Sequence, residues 1–520
     1  MKLSNINKNN KIYLFLVFAF TLFFTLHYGY RGVLPIDSFL IFDAGYKILN
    51  GVHPFKDYWS ITGPLLDYLQ YTIFYLLDVS WFSYILHAAL VNCLLAILSF
   101  YFFVKFGLSK FFSLVYATGI SILAYPSIGS PFVDHHAVIF SLISVYFLIL
   151  AFKEDKKKFW FFSSFSLALS FFSKQIPSAY LGILLLSAII LYLLYFKKKQ
   201  SYNFLFFLLG GSTIVIIFLS IFITNEIPIK NFLVQYIYYP MSIGNDRILN
   251  LKYDFNNTVL QFKIIYISII PLLVLNFFLL IKNNKKEEDV KNIFILTLAF
   301  VSALLFIYVQ LLTRNQILIF FLIPFYLGLT HLYVNKYYNK KLLIFLIIAL
   351  FFFSTTKYHL RFNQDKKFMD LEKAKFNKSI DFKVFDEKLS KLMWLTNEYI
   401  ENPSIEIEIL NEVKDKLIED KENKIIITDY QFFPAIIKNK FFAPNKWFDD
   451  LSVPKKNNKY FQIYKTFFIS KLKANEIKNI YIIGSDKPKY ILVLFDDKKC
   501  ISQTKINDVF LKLSIDNCFK

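Results

Sequence analysis

The residues of this 520-residue chain that could do chemistry are a few carboxylates, a histidine pair and some stray cations. Between Pro35 and Asp67 it reads PIDSFLIFDAGYKILNGVHPFKDYWSITGPLLD, which sets Asp37, Asp43 and Asp57 among aromatic and aliphatic side chains. A carboxylate held where a lipid headgroup meets water can take the proton of an attacking hydroxyl. Asp134 opens a second such place in SPFVDHHAV, with His135 and His136 directly after it. Lys174 in FFSKQIPS, Arg247 in YYPMSIGNDR and Arg314 in LLTRNQ are candidate phosphate holders. Guanidinium pairs with phosphate in a planar, bidentate way, and a fixed cation stabilises the charge a leaving phosphate gains.

Each of these residues also has a plainer reading. Asp37, two residues after Pro35, could cap a short helix running to Gly51. Asp43 and Lys47 lie one turn apart and could pair on the exposed face of that helix, while Phe39, Leu40, Phe42, Ile48 and Leu49 face membrane or protein. Lys174 could snorkel to headgroups. Only four arginines occur, at 31, 247, 314 and 361, and composition alone could account for their scarcity. Asp134 with His135 could hold a divalent cation, yet adjacent histidines rarely both reach one metal and no third ligand sits at useful spacing. Hydrogen bonds from His135 and His136 to a phosphate or sugar are the alternative.

The elements that must carry these residues follow from composition. The chain is 56% hydrophobic and 20% aromatic, with mean hydropathy +0.45, which is the profile of a polytopic membrane protein. About eleven apolar stretches are expected to span: Ile12 to Tyr28, Tyr84 to Val104, Phe111 to Tyr125, Ala137 to Phe152, Phe159 to Phe172, Ala179 to Phe196, Phe204 to Thr224, Ile264 to Ile281, Ile293 to Leu312, Ile317 to Val334 and Leu342 to Phe353. Lysines collect at every second connection, among them Lys2, Lys8 and Lys11 before the first stretch, Lys105 and Lys110 after the second, and Lys197 to Lys199 after the sixth. Basic residues in short loops stay cytoplasmic, so the amino terminus is expected inside and the carboxyl-terminal segment outside. No small-residue cleavage site follows the first stretch, which reads as an uncleaved anchor.

On that topology Asp37, Asp43, Asp57, Asp134 and all four arginines fall on the outer side, and no acid lies deep in a span. This weighs against an ion-coupled transporter. The net charge of +21 is mostly topology and not a nucleic-acid footprint. There is no phosphate loop of the Walker type and no dinucleotide fingerprint, which argues against an ATP-driven pump.

Residues 1–356 therefore form a membrane domain with an outer loop over 30–83, and residues 357–520 a soluble one. In the latter, KIIITDY, NIYIIGS and YILVLFD read as strands and Tyr460 to Leu472 as a helix, which predicts a small α/β layer over the outer mouth. Cys500 and Cys518 would lie in an oxidising space and bridge, worth about 3 kcal/mol in the chain-entropy model. Cys93 would be buried in a span.

An acid soon after the first span, a helix ending in Leu49-Asn50-Gly51, then Pro54-Phe55-Lys56-Asp57-Tyr58 and Gly63-Pro64 before the next span together resemble the first outer loop of GT-C-type glycosyltransferases. Protein O-mannosyltransferases and lipid A aminoarabinose transferase are of this type. The resemblance covers roughly residues 12–151. It implies that the acid after the first span is the catalytic base, carried over to Asp37 with Asp43 as the other register, and that Asp134 is the second acid. It also implies a polyprenyl-phosphate sugar donor and a lipid, polysaccharide or protein acceptor at the outer face of a bacterial inner membrane. The chain departs from the pattern in following Asp134 with two histidines. The competing expectations are a flippase for lipid-linked sugars, which internal repeats and broken helices would favour, and a non-enzymatic envelope scaffold.

Overall fold

The structure is a computed structural model that describes residues 8–124, 128–196, 201–251, 254–314, 319–484, 486–507 and 509–519. Lys2, Tyr125, Lys197 to Lys199, Ile317 and Ser485, which the sequence reading used, lie outside the described residues. Each of the eleven apolar stretches coincides with a helix. In chain order the first part contains α1 (Lys8–Gly29), α2 (Pro35–Ser38), α3 (Leu40–Leu49), α4 (Leu65–Leu77), α5 (Trp81–Phe106), α6 (Lys110–Leu123), α7 (Val133–Glu154), α8 (Lys157–Ser173), α9 (Gln175–Phe196), α10 (Ser201–Thr224), α11 (Ile229–Phe232), α12 (Tyr239–Leu249), α13 (Lys263–Ile281), α14 (Glu287–Thr313), α15 (Leu322–Tyr337) and α16 (Lys341–His359).

Among the described residues eight of these, α1, α5, α7, α9, α10, α13, α14 and α16, are long and apolar enough to cross a bilayer. Their outward faces carry bare apolar side chains such as Phe23, Ile223 and Phe277, exposed by 70%, 71% and 64%. Such a surface is stable against lipid and not against water. The protein is accordingly helical and membrane-embedded. The remaining three, α6, α8 and α15, are shorter; at 1.5 Å per residue the 16 residues of α15 extend only about 24 Å. α15 compensates by burial, since Leu322 through Tyr333 are all covered.

Serines join α7 to α8: Ser141 and Ser170 hydroxyls are 2.8 Å apart, and Ser144 donates to the Ser163 carbonyl at 2.7 Å. Small polar residues of this kind let membrane helices approach closely. At the end of α8, Gly63 of the Gly-Pro pair donates its N–H to the Ser173 carbonyl at 3.0 Å. A Cβ on Gly63 would collide with the Phe172 carbonyl, so glycine is required for the loop to sit there.

The carboxyl-terminal part contains β1 (Ile380–Asp381), β2 (Met393–Trp394), α17 (Pro403–Glu419), β3 (Lys424–Thr428), α18 (Phe433–Ile436), α19 (Phe461–Ala474), β4 (Asn479–Ile483), α20 (Pro488–Leu492), β5 (Ser502–Lys505) and β6 (Phe510–Ser514). Strand order is β3-β4-β6-β5, with β3 and β4 parallel and the other pairs antiparallel. KIIIT and NIYII are wholly buried, as near-continuous apolar runs should be in a covered sheet. YILVLFD is not a strand. Pro488 starts a helical turn there, and Ile491 and Leu494, three residues apart, are its most deeply buried side chains; the sheet is completed instead by β5 and β6. Cys500 and Cys518 are disulfide-bonded, and Cys93 is buried and free.

This part sits on the Pro35–Asp67 loop. Gly32 and Val33 donate backbone N–H groups to the carbonyls of Met393 and Leu395, both at 3.0 Å, and Met393 returns a bond to the Tyr30 carbonyl at 2.8 Å. Farther along, Trp59 donates to the Pro444 carbonyl at 3.1 Å and Lys446 to the Trp59 carbonyl at 2.9 Å. Phe39 packs against Phe432 and Trp394, with ring centroids 4.8 and 6.1 Å away.

Candidate functional site

Asp37 is placed by the backbone on both sides of it. The extended Tyr30–Val33 segment is pinned to β2, Leu34 donates its N–H to Ser38 Oγ at 2.9 Å, and Pro35 presets the first helical turn. The Ser38 carbonyl accepts from Tyr84 at 2.8 Å and from Ser130 at 3.0 Å. The expected single helix from Asp37 to Gly51 is broken at Phe39, and its cap position is Leu34. Asp37 is thus within the first turn and caps nothing. Its carboxyl, half-buried, makes no hydrogen bond or ion pair among the described residues. Burial, and then the nearby carboxylates of Asp134, Asp449 and Asp429, push its pKa up to about 7, with Lys174 pulling the other way.

Asp134 stands in the first turn of α7 and accepts from Lys174 Nζ at 2.5 Å. Lys174 occupies the C-terminal cap of α8, the helix end that Gly63 braces. This pair is mostly covered, with side-chain exposures of 22% for Lys174 and 9% for Asp134, so the lysine does not simply snorkel. Arg247 is carried by α12, which Tyr239 ties to the carboxyl-terminal part through a 2.7 Å bond to the Leu451 carbonyl. Burial and the neighbouring Arg314 lower the Arg247 pKa, while Asp134 and Asp449 support its charge. Arg314 ends α14 in a left-handed conformation, φ 59°. Neither arginine has a hydrogen-bond or ion-pair partner among the described residues. Asp37, Asp134, Lys174, Arg247 and Arg314 are therefore joined in one electrostatic neighbourhood, although five separate elements supply them.

The other expected site residues are elsewhere. Asp43 pairs with Lys47 at 2.7 Å, as the spacing suggested, but the pair is buried and not on an exposed face, because the carboxyl-terminal part covers it. Asp43 is 5% exposed and Lys47 2%. Beside them Asp67, 0% exposed, accepts from Lys446 at 2.6 Å and Tyr58 at 3.1 Å. Asp57 caps the His53 N–H at 2.9 Å and pairs with Lys471 at 3.1 Å. These are docking contacts between loop and carboxyl-terminal part.

His135 and His136 turn into the helix bundle. His135 Nε2 contacts the Ala124 carbonyl, and His136 Nδ1 lies 2.9 Å from the Phe132 carbonyl. Both rings are buried and occupied with these backbone carbonyls. Among the described residues no group of three or more histidine, cysteine or acidic side chains is arranged to hold a metal ion.

Sequence reasoning missed Asp429, Asp449, Lys446 and Lys487. All four come from a tail rich in lysine and acids, where nothing in the one-dimensional pattern separates a buried charge from a solvated one; the aromatic neighbours of Asp429 (Tyr430), Lys446 (Trp447) and Asp449 (Phe448) were the one available signal. No protein-family model matches the chain, and no curated protein matches it.

Proposed function

We propose that the chain is an integral membrane glycosyltransferase that moves a sugar from a polyprenyl-phosphate donor to an acceptor hydroxyl at the outer face of a bacterial inner membrane. On this reading the amino terminus is cytoplasmic and the carboxyl-terminal α/β part lies in the periplasm. The observation that carries the proposal is an Asp37 carboxyl with no partner among the described residues, its pKa pushed up to about 7, sharing the acidic neighbours Asp134 and Asp449 with an Arg247 guanidinium that is likewise unpaired among those residues. A general base works best when its pKa is near the operating pH, and perturbed carboxyls of this kind concentrate at functional sites.

Asp37 takes the proton of the acceptor hydroxyl as its oxygen attacks the anomeric carbon. The bond from that carbon to the phosphate oxygen breaks, and the electron pair leaves with the phosphate. Arg247 and Arg314 hold that phosphate, and their attraction grows as its charge develops. Asp134, held in place by its ion pair with Lys174, helps keep Asp37 protonatable, while the Lys174 charge tempers that effect. The test is sugar transfer by purified protein from a synthetic polyprenyl-phosphate donor. Asp37→Asn should lower kcat by about 10²- to 10⁴-fold, and transfer at the wild-type rate by that variant would remove the assigned base.

A further inference from the structure

We propose that the crevice between Leu34–Ile36 and the carboxyl ends of β3 and β4 is a glycan-binding subsite that takes a neutral or amino-bearing sugar. Calling that sugar the acceptor rests on the transferase reading above; the binding itself does not.

The crevice encloses about 350 Å³, within the usual range for small-molecule sites. Its place is one the fold dictates. β3 and β4 are the parallel pair of the sheet and run in register from Lys424–Asn479 to Thr428–Ile483, so Asp429 and Gly484 leave the sheet side by side. In open α/β sheets ligands bind outside the carboxyl ends of such strands. Gly484, at φ 125°, keeps the backbone there free of a side chain.

The walls have the chemistry of sugar recognition. Tyr399 and Tyr430 line one side. Tyr430 is held rigidly, its hydroxyl donating to Glu406 Oε1 at 2.8 Å. Glu406 also accepts from Trp394 at 2.8 Å and Thr396 at 2.7 Å, so that buried carboxylate is committed to structure. Tyr399 is different: it is half-buried and its hydroxyl has no hydrogen-bond partner among the described residues. Beside it Asn397 and Glu398 are exposed and also unpartnered. Aromatic rings offer an apolar face with a polar tip, which suits the C–H face of a pyranose, while carboxylates accept from neighbouring hydroxyls or an ammonium.

Charge selects the ligand. Asp429 and Asp486 also line the crevice, and the single lysine among its described residues, Lys487, is 1% exposed. It is already held by Asp429 at 3.0 Å and the Phe448 carbonyl at 3.1 Å. Among the described residues no free cation is left in the crevice to receive a phosphate or uronate. The arginines lie with Asp134 and Asp449, and Asp37 follows directly on Pro35 and Ile36 of the crevice wall. The crevice thus offers acidic surroundings to a glycan, one residue along the chain from Asp37.

The test is retention of the detergent-purified full chain on immobilised oligosaccharides of four kinds: neutral, free-amino, uronic and phosphorylated. Wild type should be retained by neutral or amino glycans, and Tyr399→Ala and Glu398→Gln should each weaken retention at least tenfold at unchanged melting temperature. Glu398 is exposed, so its variant reports binding without a folding defect. Wild-type retention by both variants, preference for the acidic glycans, or retention by none overturns the proposal. An intact glycan response with normal transfer by Asp37→Asn would instead remove the transferase reading and leave the subsite standing.

Discussion

Lys446 reaches 379 residues back along the chain to Asp67 and places its ammonium 2.6 Å from the carboxylate, with both side chains out of contact with solvent. Thr62 and Tyr58 complete the polar shell, accepting from Lys446 at 2.9 Å and donating to Asp67 at 3.1 Å. Burial pushes Asp67 up and Lys446 down in pKa, and the attraction between the two opposes both shifts. The pair fastens the carboxyl-terminal part to the loop that carries Asp37.

Breaking such a pair on one side leaves a buried charge uncompensated. Lys446→Met should destabilise the protein by about 3–5 kcal/mol, whereas Lys446→Met with Asp67→Leu should recover most of that loss. Thermal unfolding in detergent, with protease sensitivity of the carboxyl-terminal part as a second readout, measures the difference. Equal losses in the single and double variants would show that the charges are not buried together.

The pH response of Asp37 has a definite sign. Its pKa rises on folding from 3.8 to about 7, so the stability that follows from its proton is present below about pH 4 and lost as the pH rises through 7. Asp37→Asn should therefore be more stable than wild type at pH 8, by about 1–2 kcal/mol because the side chain is half-exposed and screened, and equally stable at pH 4. Melting curves across that range check it. On the transferase reading, wild-type kcat climbs through the same pH window.

On the transferase reading, Arg247 and Arg314 allow phosphate binding to be separated from structure, since neither holds a partner in the described part of the protein. Arg247→Ala should reduce kcat/KM for the lipid-phosphate donor by about 10²- to 10³-fold, and Arg247→Lys should restore only part because the bidentate geometry is lost. Melting temperature should barely change. A lysine variant with full activity would show that only charge matters at this position.

Gly63 sets the end of α8. Gly63→Ala forces a Cβ into the Phe172 carbonyl, and the expected cost is about 1–3 kcal/mol together with displacement of Lys174. Reduced transfer that Asp134→Asn does not further diminish would identify Lys174 placement as the cause.

The bridge between Cys500 and Cys518 tests sidedness and stability together. Reduction should lower stability by about 3 kcal/mol. In intact cells, a membrane-impermeant maleimide should label these two cysteines only after an impermeant reductant is added; labelling without reduction, or only after lysis, would contradict the proposed topology.

The apolar helices were legible in the sequence because a helix satisfies its own backbone hydrogen bonds and needs only sustained apolar length, although eight, not eleven, are long enough among the described residues to cross a bilayer. The strands KIIIT and NIYII were legible for a related reason, being apolar runs too short for helices. Asp37, Asp134, Lys174, Arg247 and Arg314 were singled out because charge beside apolar helix ends is expensive and rare. What the sequence could not decide is which of them meet. Asp43 carries the same signal as Asp37 and lies six residues away, yet it points into the interface with the carboxyl-terminal part and is neutralised by Lys47. The histidines after Asp134 share its helix but face inward, since successive helical residues point about 100° apart. Helix existence is a local property of the chain; bringing together residues from five elements depends on packing between positions hundreds of residues apart, and only the tertiary structure fixes that.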